Sequence, residues 1–333
     1  HLLSRRQRQM CIRDRFLAEA ISFGMVFLYG SVGEIITEKS GHLNLGIPGI
    51  MCMGTAGGCL GVSLYMNSLA NPENASWFVL VLITVLMSCI FGAFGGSIYA
   101  VLTVSLRSNQ NVTGLALTTF GAGFGQFFMD IYVDRTHFAL ASKILKSALP
   151  FADKLGGFGT VFLSHGVLVY LAIAIAVAAA ILLKKSRVGL NLRAVGENPA
   201  TADAAGINVN AYKYGAILIG SAIAGLGGTF YIMDFIGGSW DNANTIQSLG
   251  WLCLALVIFT LWKPDLSILG SVIFGGLYLL AQRIMGISLS QMKLLRLLPY
   301  IITVIVLIIT SIMDKKENQP PAALGTNYFR EER

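Results

Sequence analysis

Glu34 and Glu38 are four residues apart, a spacing that puts both carboxylates on one face of a helix. Paired carboxylates can divide general acid and base work. Here they end an apolar run beside Lys39, so at a membrane surface they are expected to meet basic groups of neighbouring loops instead. A second set is neutral. Asn44, Asn109, Gln110, Asn111, Thr113, Asn242, Asn244 and Gln247 lie in or beside apolar runs, as does Gln126. Amides and hydroxyls are costly to bury unpaired, so those at membrane depth are candidates for binding solute. They suit a neutral, hydroxyl-rich molecule. Asn44, Asn109, Gln110, Thr113, Asn244 and Gln247 are the candidate solute path. The same side chains also cap helices and bond between helices, and that reading stays open. Asp130, Asp234 and Glu19 lie near segment ends and are expected to be interfacial. Phe120, Phe124, Phe127 and Phe128 could stack on a base, although Phe at helical spacing more often packs or meets lipid.

The chain offers no set for covalent or metal chemistry. Its four His are scattered. Its five Cys (Cys11, Cys52, Cys59, Cys89, Cys253) have no C-x-x-C spacing, and four lie in apolar runs, where small buried hydrophobes are expected rather than ligands. No phosphate-cradling G-x-x-x-x-G-K-[ST] loop occurs. No catalytic residue and no metal site is expected, and an intramembrane enzyme would need a set that is missing. A secondary transporter or channel is the alternative transport class; it would be expected to carry charged relay residues within its spans.

The elements that hold these residues follow from composition. The chain is 55% hydrophobic and only 12% charged, whereas soluble domains carry about 25% charged residues. Mean hydropathy is +0.68. So little charge cannot cover a water-facing surface, and lipid must be the solvent for much of the chain. Of the net charge of +7, the first fifteen residues supply +4 through five Arg and one Asp. No nucleic-acid partner is implied. About nine apolar segments follow: 16–36, 43–66, 77–106, 112–133, 161–183, 212–236, 246–262, 266–285 and 294–313. Most approach the roughly 20 residues that span a bilayer as a helix. The expected fold is all-α, a polytopic transmembrane bundle of about 8–10 spans. The segment 43–66 contains Gly46, Pro48, Gly49, Gly54, Gly57, Gly58 and Gly61 and is expected to be irregular backbone lining a protected cavity.

The polar interruption at 184–211 is unusually ordered in character for a turn between spans. Its Asp203-Ala204-Ala205-Gly206-Ile207 end reads as a short amphipathic helix with a glycine stop, fit to dock on a soluble partner. With this loop in the cytoplasm, strict alternation of nine spans places twelve Lys and Arg inside and seven outside, in line with the positive-inside bias. The five arginines of residues 1–15 fall outside and cancel it. Either the helix count is off by one, or this basic stretch, which lacks the apolar core of a signal peptide, is a non-native or disordered extension. The expected organisation is then 1–15 as that extension, 16–313 as the transmembrane domain with its loop at 184–211, and 314–333 as a cytoplasmic tail.

Three stretches carry a resemblance. Gly33-Glu34-Ile35-Ile36-Thr37-Glu38-Lys39-Ser40-Gly41-His42-Leu43-Asn44-Leu45-Gly46-Ile47-Pro48-Gly49-Ile50-Met51 is one, the segment from Gly189 to Val209 the second, and Pro321-Ala322-Ala323-Leu324-Gly325-Thr326-Asn327-Tyr328 the third. In this order, with Pro299-Tyr300 in the last span, the chain resembles the permease subunits of ATP-binding-cassette importers, in the branch that groups branched-chain amino acid, simple-sugar and nucleoside permeases. His42 and Pro48 depart from the pattern, where relatives more often carry Ala or Val, and Glu. The tail motif points to the simple-sugar and nucleoside subgroup, nucleosides first.

The resemblance implies a division of labour. Separate ATPase subunits hold ATP and magnesium, so this chain needs no cofactor and is not an enzyme. An extracytoplasmic solute-binding lipoprotein delivers the solute, and a second, related permease chain completes the path in the bacterial cytoplasmic (inner) membrane. The 184–211 loop corresponds to the cytoplasmic coupling helix, with Gly189, Arg193, Glu197, Asn198, Asp203, Ala204, Ala205, Gly206 and Ile207 as the residues that meet the ATPase. The residues suit the task. Asn198 can cap and Pro199 can open a helix. The alanines keep it slim, Asp203 can accept a hydrogen bond or pair with a basic group of the partner, and Gly206 can close it.

Overall fold

The computed structural model describes residues 2–147, 159, 161–284, 288–313 and 319–329. Residues 148–158 of the polar stretch after Asp134, and 314–318 and 330–333 of the tail, lie outside the described residues. In order, the helices are α1 (Leu2–Glu38), α2 (Ile47–Ser68), α3 (Trp77–Ala100, ending in a π turn, Val101–Ser105), α4 (Gln110–Ile131), α5 (Phe138–Leu145), α6 (Val167–Lys185), α7 (Arg187–Glu197), α8 (Pro199–Ala204), α9 (Val209–Phe230, ending in a π turn, Tyr231–Phe235), α10 (Ala243–Phe259), α11 (Pro264–Arg283), α12 (Leu289–Leu295) and α13 (Leu298–Met313). Each of the nine apolar segments coincides with a helix. Among the described residues there is no strand, and six helices are long and apolar enough to cross a membrane; α10 and α11 are shorter and apolar. The chain is a multi-pass, all-α membrane protein.

The basic run before Phe16 is helical here and continuous with α1. No Gly or Pro separates it from the span, and Arg, Gln, Leu and Met are good helix formers.

The glycine-rich segment corrects an expectation. From Ile47 to Ser68 the backbone is one regular helix, with Pro48 in the first turn where its missing N–H costs nothing. The glycines serve contact rather than irregularity. A Cβ on Gly54 would stand 2.3 Å from the Cα of Gly225 on α9, and one on Gly49 would stand 2.4 Å from the carbonyl oxygen of Leu117 on α4. Small residues let backbones approach where lipid gives no hydrophobic drive between helices. As a result α2 is the axis of the bundle, with 89% of its apolar window buried, surrounded by α3, α4, α9 and α10. At its crossing with α3 and α9, Thr229 donates to the carbonyl of Gly54 (2.9 Å), and its hydroxyl also meets that of Ser88 (2.9 Å). The window around α13 is only 11% buried, so that helix is peripheral.

Candidate coupling site

The loop between α6 and α9 folds as two short helices joined end to end, each stop and start supplied locally. Ser186 accepts from the N–H of Gly189 (2.9 Å) and opens α7. Gly189 lies so close to α6 that a Cβ would stand 2.1 Å from the carbonyl oxygen of Leu182. Asn198 serves both helices. Its N–H closes α7 on the carbonyl of Ala194 (2.9 Å), while its side-chain oxygen accepts from Thr201 (3.0 Å) and caps α8. Gly206 takes φ +83°, its N–H bonds to the carbonyl of Asp203 and that of Ile207 to Ala202. These are the two bonds of a glycine-terminated Schellman stop. Asn208 then caps α9 by accepting from Ala211 (3.1 Å). Underneath, Val195, Ala202 and Val209 form a small core with Ile207, Tyr212 and Tyr328 packed on it. The side left to solvent is Thr201, Ala204, Ala205 and Gly206, all short, with nothing within 4 Å of a Cβ built on Gly206. The result is a rigid, narrow wedge.

The three stretches that carried the resemblance meet at this end of the molecule. Gly196 of α7 lies against the turn after α1, where a Cβ would stand 2.3 Å from the carbonyl oxygen of Lys39. The tail comes back over both: the N–H of Ala323 bonds to the carbonyl of Gly196 (3.0 Å) and that of Gly325 to the carbonyl of Gly41 (3.2 Å). Tyr328 donates its hydroxyl hydrogen to Asp203 (2.8 Å). Burial, with the nearby charges of Arg193 and Lys263 adding to it and Glu197 opposing, lowers the pKa of Lys39. Glu38 is buried and accepts from the indole N–H of Trp262, not from a basic loop residue. Trp262 and Leu261 both sit in the left-handed region at φ +54°.

The six candidate solute-path residues do not form one site. Asn44 is fully buried and closes a turn just before α2, its side-chain oxygen accepting from the N–H of Gly46 (2.9 Å). Asn109 caps α4 (3.1 Å) and Thr113 donates to the carbonyl of Asn109 (2.8 Å). Gln110 accepts from the N–H of Leu43 (2.9 Å) and donates to Thr326 and Asn327 of the tail (both 3.3 Å). These four brace the end that carries the wedge. Asn244 and Gln247 lie at the start of α10, where the N–H of Ala243 bonds to Gln126 (2.8 Å). Gln126 is sixteen residues along α4 from Gln110, about 24 Å at 1.5 Å per residue. Of the phenylalanines of α4, Phe124 stacks on Phe128 at 4.4 Å and Phe91 of α3 meets both, while Phe120 and Phe127 are exposed on the surface of the bundle. Tyr328, Asn327 and Trp262 were not singled out from the sequence. The tail motif was the one available signal for the first two, and nothing local could pair any of them.

The molecule is thus a membrane bundle built around α2, with a pair of short helices braced by the tail at one end. Residues 16–309 match the family described as branched-chain amino acid transport system / permease component. The chain belongs to that family and is a permease subunit of an ATP-binding-cassette transport system. It is 30% identical over 320 residues to the nucleoside ABC transporter permease protein NupC of Lactococcus lactis subsp. cremoris, covering 94% of this chain and 96% of the relative. It is 29% identical to the guanosine ABC transporter permease protein NupQ of Bacillus subtilis, covering 91% and 92%. A second nucleoside permease of the same Lactococcus, NupB, is 25% identical over 59% of this chain and 53% of its own length.

Proposed function

We propose that this chain moves nucleosides inward across a bacterial cytoplasmic membrane, with simple sugars the second solute class, driven by ATPase subunits that dock on α8. The observation that carries the solute class is the end-to-end similarity to two permeases named for nucleoside and guanosine transport. The match to both NupB and NupC supports a pair of related permease chains rather than two identical ones. A lipoprotein outside the membrane delivers the solute. ATP and magnesium stay with the ATPase.

The mechanics follow from the wedge. Closure of two ATPases must reach the spans with little lost motion, and a helix fixed at both ends transmits a stroke that a loose loop would absorb. Arg193, Glu197 and the short-side-chain face from Asn198 to Ile207 are the docking surface. Gly206→Asp places a carboxylate on that face where a side chain meets no atom of this chain. The strain of a left-handed non-glycine residue there is only about 1–2 kcal/mol.

The test is reconstitution of both permeases, the ATPase and the binding protein in vesicles. We expect ATP-dependent uptake of labelled uridine or guanosine in preference to ribose, and no uptake of leucine. Gly206→Asp should cut ATPase retention and uptake about tenfold or more, equivalent to some 1.4 kcal/mol of docking energy. Uptake by this chain alone without ATP would make it a secondary transporter or channel. Normal uptake by Gly206→Asp would remove the docking assignment.

A further inference from the structure

The tail motif has no part in the mechanism above, yet it bonds the wedge to the connections before α2 and α4. Residues 319–329 form neither helix nor strand, and their path is set by what they bond. Pro321 and Gly325 shape a turn, with the N–H of Leu324 on the carbonyl of Pro321 (3.0 Å) and Gly325 at φ +78°. The turn seats Leu324 against the apolar cluster of Ile35, Leu183, Leu192, Ala216, Val257 and Trp262, which joins five helix ends. The chain then runs on to Tyr328, on Asp203 of the wedge. Between them, Asn327 donates its amide hydrogens to the carbonyls of Arg107 (2.6 Å) and Ser108 (3.3 Å), in the connection from α3 to α4. Gln110, the first residue of α4, reaches back to Thr326 and Asn327 and also holds Leu43 before α2. Tyr99 of α3 closes the ring on the carbonyl of Leu43 (2.6 Å).

Two properties of this ring bear on force. First, α8 itself packs chiefly on α7 and α9; beside the contact of Gly196 on α7 with the turn after α1, the tail gives it a hydrogen-bonded link to the starts of α2 and α4. Second, those starts lead into the glycine seam of α2 with α4, where a Cβ on Gly121 would stand 2.4 Å from the carbonyl oxygen of Gly49. Motion of the wedge passed along the tail therefore reaches this close contact at the axis as well as the α9 side of α2.

We propose that 321–328 is a strut of the coupling machinery, with Tyr328 and Asn327 as positioning residues that make the wedge move as one body with the ends of α2 and α4. This rests on the docking of α8 described above. It adds that coupling depends on a segment about 120 residues further along the chain, and that Asp203 faces inward to the strut rather than outward to the motor.

The test uses the full reconstituted complex and measures three quantities: ATPase retained on the permease, ATP hydrolysed, and solute taken up. Tyr328→Phe removes one hydroxyl and keeps the ring on its small core. Combined with Asn327→Ala, it should leave ATPase retention unchanged while ATP consumed per solute rises about tenfold, as expected for losing the hydrogen bonds that hold the tail in place. Tyr328→Phe and Asp203→Ala combined should have less than the sum of their separate effects, as for residues in contact, and Asp203→Asn, which keeps an acceptor, should behave like the parent. The strut is overturned if uptake and ATP per solute stay normal in Tyr328→Phe/Asn327→Ala. It is equally overturned if retention and hydrolysis fall together with uptake, because the tail would then be supporting only the fold or the docking face. Either result leaves the docking assignment standing, since that is decided separately by Gly206→Asp.

Discussion

At the scale of single residues, polar groups here serve the frame before they serve the solute. Asp203 had the option of a basic group on a partner; its half-buried carboxylate accepts from Tyr328. Glu34 and Glu38, the one arrangement that could suggest acid–base work, hold the N–H of Asn44 and the indole of Trp262. His42 gives a measurable consequence. Burial, reinforced by the positive charge of Lys213, pushes its imidazole from 6.5 down to about 3. In the unfolded chain His42 takes up a proton near its ordinary pKa, and in the folded chain it does not. Its contribution is therefore flat above about pH 6.5 and becomes increasingly destabilising as the pH falls toward 3, by up to about 1.4 kcal/mol per unit. We expect the thermal midpoint of the parent in detergent to fall more between about pH 7.5 and about pH 5 than that of His42→Gln. Equal falls would show that His42 is protonated in the fold. The caps at Ser186, Asn198 and Asn208 could be read from residue type alone because each acts within three positions of itself. The partners of Glu38 and Asp203 could not, because they are 224 and 125 residues away.

At the scale of elements, α2 carries the lesson. Seven Gly and Pro positions in 43–66 read as broken backbone, and the element is a continuous helix from Ile47. Glycine's low helix propensity, roughly 1 kcal/mol per residue relative to Ala, is outweighed where its missing side chain lets two backbones touch. Gly54→Val should therefore force α2 from α9 and cost about 1–3 kcal/mol, the usual range for overpacking. Gly123→Ala on α4, where a Cβ meets nothing within 4 Å, should leave stability unchanged or raise it by up to about 1 kcal/mol. Thermal unfolding of the two variants in the same detergent decides this; a Gly54→Val midpoint at or above the parent's would mean that the seam is looser than described. The wedge, by contrast, was legible as an element, because capping residue, proline and glycine stop succeed one another within nine residues.

At the scale of the whole molecule, the wedge and the α2–α3 connection must face opposite sides of the membrane, since α2 links one end of the bundle to the other. Cysteines at Thr201 and Glu73, both exposed, report this directly. In intact cells a membrane-impermeant maleimide should label Glu73→Cys and spare Thr201→Cys until the membrane is opened. Labelling of Thr201→Cys from outside would put the wedge beyond reach of any ATP-driven partner. The amino-acid sequence alone determined the solvent, the helical class and the positions of the spans, because hydropathy and helix-terminating residues act over a few turns of chain. It also marked the three stretches that matter. Only the tertiary structure decided that these stretches converge, that α2 is the axis, and that Asn109, Gln110 and Thr113 bond at the end that carries the wedge. Those outcomes depend on contacts such as that of Asn327 with Arg107, 220 positions apart, and a local pattern carries no information on which distant partner will satisfy a buried polar group.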